Sequence, residues 1–305
     1  MTSTVPVEGC ADLSVVIATW NAYGELIDSL GSLTEHPPAC CHEVIVVDNA
    51  SSDGSREMIV KRFPRVHLIV LPANRGFGEA NNAALSGARG RWVLFLNPDT
   101  VVLPGALDAL VAYGDAHPEV GVLGPKLLNA DGSLQYSCRR FPNLGTGFFR
   151  NTPLGRLFPR NRHTQDYLLL DWDHATPRDV DWVSGAALMI RRALLDQTGG
   201  FDTTFFMYCE DVDLCKRVGD LGSLVRYLPE SVIYHIIGRS TDKVPIRMTY
   251  HFHRSMHIFY RKHYAATTSI LVRPLIVPGL ALRASGQLIR LAVRRWVRQL
   301  RRGAK

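Results

Sequence analysis

The chain has 305 residues, 46% hydrophobic and 21% charged, which is ordinary for a globular protein and long enough for one large α/β domain plus an appendage. Its six cysteines form no C-x-x-C pair, and Cys40 and Cys41 are adjacent; neither a zinc site nor a disulfide framework is expected, and a reducing cytosol is the natural setting. The net charge of +7 is unevenly placed: residues 243–305 hold 14 Lys and Arg and no acid, leaving 21 basic against 28 acidic residues before them.

The opening MTSTVPVEGCADL has neither a basic start nor an apolar core, so no signal peptide is expected. LSVVIATW (13–20) reads as a strand and AYGELIDSLGSL as a helix. EVIVVDNA is the next strand, and SSDGSREMIVKRF a helix capped by Ser51, Ser52 or Asp53. VHLIVL is a strand, GEANNAALSGA a helix and WVLFLN a strand that Pro98 ends, since proline cannot donate to a ladder. Continuous Val/Ile/Leu runs between helices predict a parallel sheet covered on both faces, and right-handed crossovers make it a doubly wound, nucleotide-binding architecture. Residues 139–181 read as a long irregular stretch. VDWVSGAALMIRRALL follows as a strand feeding a helix, then an acidic helix start in YCEDVDLCKRV, the strand VRYLPESVIYH, and a helix over 246–264.

Ligands of such sheets sit beyond the carboxyl ends of the strands. Those ends read Thr19-Trp20-Asn21, Asp48-Asn49, Asn74-Arg75-Gly76 and Asn97-Pro98-Asp99, every one polar or permissive. GFGEAN (76–81) imitates a dinucleotide fingerprint, but Asn81 replaces the third glycine and the motif follows the third strand, which argues against a nicotinamide dehydrogenase. Acids at a helix start complement its dipole, and that accounts for Asp213. Glu210 and Asp211 instead follow an aromatic run, and carboxylates beside apolar walls are candidates for general-base work. Asp99 and His235, each at a strand end, could complete a hard-metal site with diphosphate oxygens, which suits Mg²⁺ or Mn²⁺.

The ordered blocks VVIATWN, VIVVDNASSDGS, NRGFGEANNAAL, LFLNPDT, VSGAALMIRR, GGFDTTFFMYCEDVDLCKRV and YHIIGRS resemble inverting family 2 glycosyltransferases of the GT-A fold, over roughly residues 13–240. Within that family the likeness is to bacterial rhamnosyltransferases that extend cell-envelope glycans. It implies a catalytic domain over 1–245 and a helical basic extension over 246–305. It also implies that Thr19, Asn21, Asp48, Arg75 and Asn97 line the nucleotide pocket, with Asp48 accepting from a pyrimidine base. Trp182, Ser184 and Gly185 would face the sugar. Asp99 would hold a divalent cation (Mg²⁺ or Mn²⁺) with His235, and Asp211 would be the catalytic base with Glu210 beside it. Asn97 stands where the family's metal motif has its first carboxylate, a departure that weakens metal binding from that position. The resemblance implies a dTDP- or UDP-sugar donor, with dTDP-rhamnose favoured over a UDP-hexose, and a polyprenyl-linked or glycan acceptor.

The tail suits a polyanion. TTSILVRPLIVPGLAL is broken by Arg273, Pro274 and Pro278, and a spanning helix needs about 20 apolar residues, so it is not expected to cross a membrane. At 100° per residue Leu282, Ile289, Val293, Trp296 and Leu300 share one helix face, opposite Arg283, Arg290, Arg294, Arg298 and Arg301. This basic amphipathic pattern suits a helix lying on an anionic membrane surface, making the protein cytoplasmic and peripheral at the inner face of the cell membrane. The other use of the pattern is docking on the protein's own acidic body. A nucleic-acid-binding protein would need a base-stacking surface or reading motif, and none is visible, so no nucleic acid partner is expected.

Overall fold

The computed structural model describes residues 11–150, 152–236 and 245–303, with side chains to Val293 except those of Leu144, Phe148 and Pro153. The strands β1 (Leu13–Thr19), β2 (His42–Asp48), β3 (His67–Val70) and β4 (Trp92–Leu96) are all mutually parallel where they pair, in the order β3-β2-β1-β4. Helices α1 (Tyr23–Glu35), α2 (Ser55–Arg62) and α3 (Phe77–Ala84) make the crossovers. Next come β5 (Thr100–Val102), α4 (Ala106–Ala116), β6 (Val120–Leu128), β7 (Leu134–Gln135) and β8 (Cys138–Arg139). The stretch that reads as irregular holds three short helices, α5 (Leu144–Phe149), α6 (Pro153–Leu157) and α7 (Arg162–Leu168), and the short β9 (Arg178–Asp179). It is followed by β10 (Trp182–Val183), β11 (Ala187–Arg191), α8 (Arg192–Thr198), α9 (Glu210–Asp220) and β12 (Leu224–His235). Two long helices, α10 (Pro245–His263) and α11 (Arg273–Gly303), complete the chain.

The main sheet runs β3-β2-β1-β4-β11-β6-β12-β5. The parallel expectation holds for the first four strands and for β6 with β12, but β11 lies antiparallel between β4 and β6. Ala187 pairs with Leu96, so β11 begins where β4 ends. That reversal delivers Ser184 and Gly185, just before β11, to the carboxyl ends of the parallel strands.

Continuous apolar strands bury both faces, and two cores result. Val16, Ile45, Val47, Val93 and Phe95 face α3, α9 and α10 through Ala80, Ala84, Val212, Leu214 and Phe259. The alternate residues Val15, Ile17, Val46, Leu94 and Leu96 face α1, α2 and α4 through Leu26, Leu30, Ile59, Leu107 and Leu110. Burying each such side chain contributes about 1.5–3 kcal/mol.

Two local expectations are corrected. Gly54, in the left-handed region at φ +87°, caps α2 without a side-chain bond, while Asp53 accepts from the Tyr23 and Ser55 amides and so ties the loop to the start of α1. And α11 runs unbroken through Pro278. Pro274 sits in its first turn, where a missing N–H costs nothing, and one lost bond at Pro278 is tolerated in a helix of 31 residues. By length and composition Arg273–Val293 is long and apolar enough to cross a membrane, and none of it is fully buried. The expected positions Arg294, Trp296, Arg298, Leu300 and Arg301, and Gly238-Arg239-Ser240 of the YHIIGRS block, lie outside the described residues and side chains, as does most of the opening segment.

Candidate active site

Beyond the carboxyl ends of β1, β2 and β4 lies a cleft of about 580 Å³. On the sheet side its loops are closed by their own side chains. Asn49, nearly buried, donates from Nδ2 to Asn74 Oδ1 (3.2 Å) and the Gly76 carbonyl (3.0 Å), and its Oδ1 accepts from the Arg75 amide (2.8 Å). Gly76 has φ +89°, and a Cβ there would stand 2.2 Å from the Phe206 carbonyl oxygen, so only glycine fits. Phe77 N–H donates to that same oxygen at 2.9 Å, joining this turn to the loop ahead of α9.

β12 pairs antiparallel with β5, His235 opposite Thr100, and so carries the imidazole to Asp99. Gln135 Nε2 donates to Asn129 Oδ1 (2.9 Å) and to the His235 carbonyl (3.1 Å), which turns its Oε1 toward His235 Nδ1 at 2.7 Å. Nδ1 therefore carries the proton, and Nε2 presents a lone pair. Asn97 Nδ2 and Asp99 Oδ1 each stand 3.3 Å from that Nε2. Two ligands of one octahedral cation, each at about 2.1 Å, would stand about 3 Å apart, so the lone pair and the Asp99 carboxylate fit a shared Mg²⁺ or Mn²⁺. No group of three or more His, Cys, Asp or Glu able to hold a metal occurs among the described residues, so the remaining ligands would come from substrate oxygens and water.

Across the cleft, Tyr208 and Cys209 both adopt positive φ, +70° and +65°, and swing the chain into α9 with Glu210 and Asp211 in its first turn. Two such non-glycine residues in a row store strain, which the packed surroundings must hold. Asp211 Oδ2 accepts from the Gly185 amide (2.9 Å) and Oδ1 from the Val212 amide (2.8 Å). Burial nevertheless pushes its carboxyl above the usual range, against those amides and the nearby charge of Arg139. That suits a general base, which needs more basicity than a free aspartate has. Glu210 is raised further, by burial and then by the charge of Asp211, and its Oε2 is buried without a partner. Asp213, on the same helix, is the opposite case. Burial pushes it up, but bonds from His263 (2.7 Å), Lys262 (2.8 Å) and Arg217 (2.7 Å) hold it below the usual carboxylate range.

Of the residues singled out in the sequence, Thr19, Asn97, Asp99, Trp182, Ser184, Gly185, Glu210, Asp211 and His235 line this one cleft. Asn21, Asp48 and Arg75 do not. Asp48 is fully buried and binds the Ser51 amide and Arg56 Nε (2.5 Å). Asn21 Oδ1 accepts from the Ser52 amide (2.8 Å), and the Arg75 side chain turns toward Glu79. Sequence reasoning missed Gln135, which bonds His235 from behind, and the cleft residues Arg139, Arg150 and, from the last two helices, Arg247, Met248, Phe252, Met256 and Arg283. The one available signal was the aromatic and basic density of YHFHRSMHIFYRKHY. α10 is held over the cleft by Phe206 stacked on His251 (4.3 Å) and by Ser255 Oγ donating to the Met207 carbonyl (2.8 Å).

Comparison with known proteins gives a family and a fold. The Glycosyl transferase family 2 model matches residues 14–182. Over 297 residues, 93% of this chain and 94% of the relative, the chain is 35% identical to the N-acetylglucosaminyl-diphospho-decaprenol L-rhamnosyltransferase of Mycobacterium tuberculosis. It is 26% identical over 216 residues, 67% of this chain and 75% of the relative, to the rhamnosyltransferase WbbL of Escherichia coli. Among solved structures, a mannosyltransferase from Pyrobaculum calidifontis, in complex with GDP-Man and Mn²⁺, shares the fold with a TM-score of 0.57 at 20% identity, covering 94% of this chain and 81% of that one.

Proposed function

The chain belongs to glycosyl transferase family 2 and is a nucleotide-sugar-dependent glycosyltransferase, and we propose that it moves L-rhamnose from dTDP-rhamnose to a lipid-linked or growing glycan acceptor of the bacterial cell envelope, inverting the anomeric carbon. The activity named for the mycobacterial relative supports the sugar and the diphospho-polyprenol acceptor. One observation carries the mechanism: Asp211, its basicity raised by burial, lines the same cleft as the Asp99–His235 pair.

Asp211 takes the proton of the acceptor hydroxyl as that oxygen attacks the anomeric carbon. The Gly185 and Val212 amides hold the carboxylate in place for it. Asp99 and His235 Nε2 would hold a divalent cation, which when bound neutralises charge building on the leaving nucleoside diphosphate. Gln135 fixes the imidazole tautomer that this requires. The Thr19 hydroxyl is buried at the cleft without a partner, a free group for the nucleotide.

The test is a panel of nucleotide sugars, each with and without Mn²⁺ or Mg²⁺, read by thermal stabilisation and by transfer to an N-acetylglucosaminyl acceptor. dTDP-rhamnose with cation should stabilise and react. A preference for a UDP-hexose would reassign the donor, and full activity under thorough chelation would remove the metal role from Asp99 and His235.

We also place the enzyme at an anionic membrane surface. Leu271, Leu275, Leu282, Ile289 and Val293 are exposed, and the last four share an outward stripe of α11, while Arg283 turns inward to the cleft. Apolar burial at the headgroup boundary together with nearby basic residues, each adding about 1 kcal/mol on an anionic leaflet, supports reversible attachment.

A further inference from the structure

The donor chemistry leaves part of the cleft's charge unused. Arg139 on β8, Arg150 just after α5 and Arg283 on α11 converge on one wall around Tyr167 and Trp182. The Arg139 guanidinium lies 5.0 Å from the Trp182 ring centre and 5.7 Å from that of Tyr167. The Arg150 guanidinium lies 4.8 Å from the Tyr167 ring centre, and that of Arg283 lies 5.8 Å from the Phe252 ring while its Nη1 donates to the Gly147 carbonyl at 3.3 Å. Arg283 Nε is buried with no partner. Among the described residues no carboxylate stands within ion-pair distance of any of the three. Burial lowers the basicity of Arg150 and Arg283, and for Arg150 the charge of Arg139 lowers it further.

Three half-buried like charges without a counter-ion are costly, and a site that keeps them is prepared for an anion that arrives with the ligand. Guanidinium forks match phosphate oxygens in pairs. We propose that Arg139, Arg150 and Arg283 form a second anion site in the cleft, which binds the diphosphate of the lipid-linked acceptor.

Two placements select the acceptor over the donor. Arg139 is close enough to Asp211 to favour its charged form, and Asp211 is the group the acceptor hydroxyl must reach. Arg283 belongs to the helix whose outward stripe is apolar, with its neighbour Leu282 77% exposed. One turn of α11 thus offers the lipid chain an apolar surface and the diphosphate a cation. A diphosphate diester carries two negative charges, and the donor's own pair is assigned to the Asp99–His235 end. This inference rests on the reading of the chain as a transferase for lipid-linked acceptors.

The experiment measures calorimetric binding of a soluble short-prenyl N-acetylglucosaminyl diphosphate to the full chain, beside the same sugar on a neutral alkyl group. The proteins are wild type, Arg150→Gln, Arg283→Gln and the charge-keeping Arg150→Lys, each checked by thermal unfolding. Wild type should prefer the diphosphate ligand at least tenfold. Each Gln variant should lose roughly 10–100-fold on that ligand and little on the neutral one, with Arg150→Lys between them. Binding of dTDP with Mn²⁺ should be unchanged. Equal wild-type affinity for both acceptors, or binding of neither, overturns the site. So do Gln variants that weaken dTDP instead, which gives the cluster to the donor, or that lose only anionic vesicles, which gives it to headgroups. Arginine-dependent acceptor binding without transfer from any nucleotide sugar would sink the transferase reading and leave the anion site standing.

Discussion

The two sides of the cleft are built in opposite ways. On the sheet side the loops at neighbouring strand ends are tied to one another by single side chains: Asn49 holds the Asn74–Gly76 turn, and Asp53 ties the start of α2 to the start of α1. On the other side Arg150, Tyr167, Trp182, Phe252 and Arg283 come from five separate segments and meet through ring and guanidinium contacts. Asp213, a fully buried carboxylate, grips Lys262 and His263 at the end of α10, beside the Phe206–His251 stack and the Ser255–Met207 bond that hold the rest of that helix. Loops tied together at adjacent strand ends give a site that is set as soon as the sheet forms. An assembled wall can fail as a unit while the sheet stands.

The largest effect should come from Asp211, the proposed base on the wall side. Asp211→Asn should cut turnover by about 10²–10⁴-fold with donor binding nearly intact; near-normal turnover would remove Asp211 from the mechanism. Its protonation sets the acid limb of the rate profile. The base works only when ionised, and burial raises its pKa, so in steady-state kcat measurements activity should begin to fall at a higher pH than an ordinary aspartate, near about 3.9, would give.

On the sheet side, Asp99→Ala and His235→Ala should each weaken Mn²⁺-dependent binding of the nucleoside diphosphate, and chelation should mimic both. Gln135→Leu frees the imidazole and should cost about 10–100-fold in cation affinity, read by titrating Mn²⁺ against donor binding. If Gln135→Leu binds Mn²⁺ as wild type does, the tautomer argument is wrong.

Asp213 offers a stability contrast. Its folded pKa is depressed, so its contribution is complete above the unfolded value and fades as pH falls through the folded one. Asp213→Asn should therefore cost about 3–5 kcal/mol at neutral pH, and denaturant melts should show the gap closing below about pH 4. Glu210 is raised, so its linkage has the reverse sign: stability present below the unfolded pKa is lost as pH rises. Glu210→Gln should leave neutral-pH stability equal or higher, and a loss would mean its buried Oε2 has a partner after all. The smallest effect is at the surface. Leu282→Glu with Ile289→Glu should weaken co-sedimentation with anionic vesicles about tenfold while transfer to a short soluble acceptor persists. Unchanged sedimentation would place attachment elsewhere.

The same division explains what could be read from the sequence. VVIAT, VIVVD and WVLFL declare buried parallel strands, and their ends hold Thr19, Asn97 and Asp99 of the cleft, because a local pattern decides both where a strand stops and what stands there. The antiparallel direction of β11 had no such mark. ALMIR is equally apolar run either way, and only its pairing with Leu96 and Val122 fixes the direction. Gln135 and Arg139 sit on strands of two residues, too short to show a period. Arg283 read as one of the arginines of a basic face, with a membrane surface or the protein's own body as its partner; periodicity separates two faces but does not say which one meets the protein, and the cleft takes Arg283. Pro278 read as a break because propensity weighs the lost bond and not the length of helix that carries it.

The contact of Gly76 and Phe77 with the Phe206 carbonyl has an engineering consequence. It fastens the turn that follows β3, on the proposed donor side, to the strained segment that leads to Asp211, the proposed base. A side chain at Gly76 would clash with the Phe206 carbonyl, and only Met207, Tyr208, Cys209 and Glu210 separate that residue from Asp211 in the chain. On the proposed roles, donor preference and proton abstraction should not be independent dials in this scaffold. A library that remodels residues 74–77 to accept another nucleotide sugar will lose rate along with selectivity unless 206–209 are varied with them, as a single matched cassette.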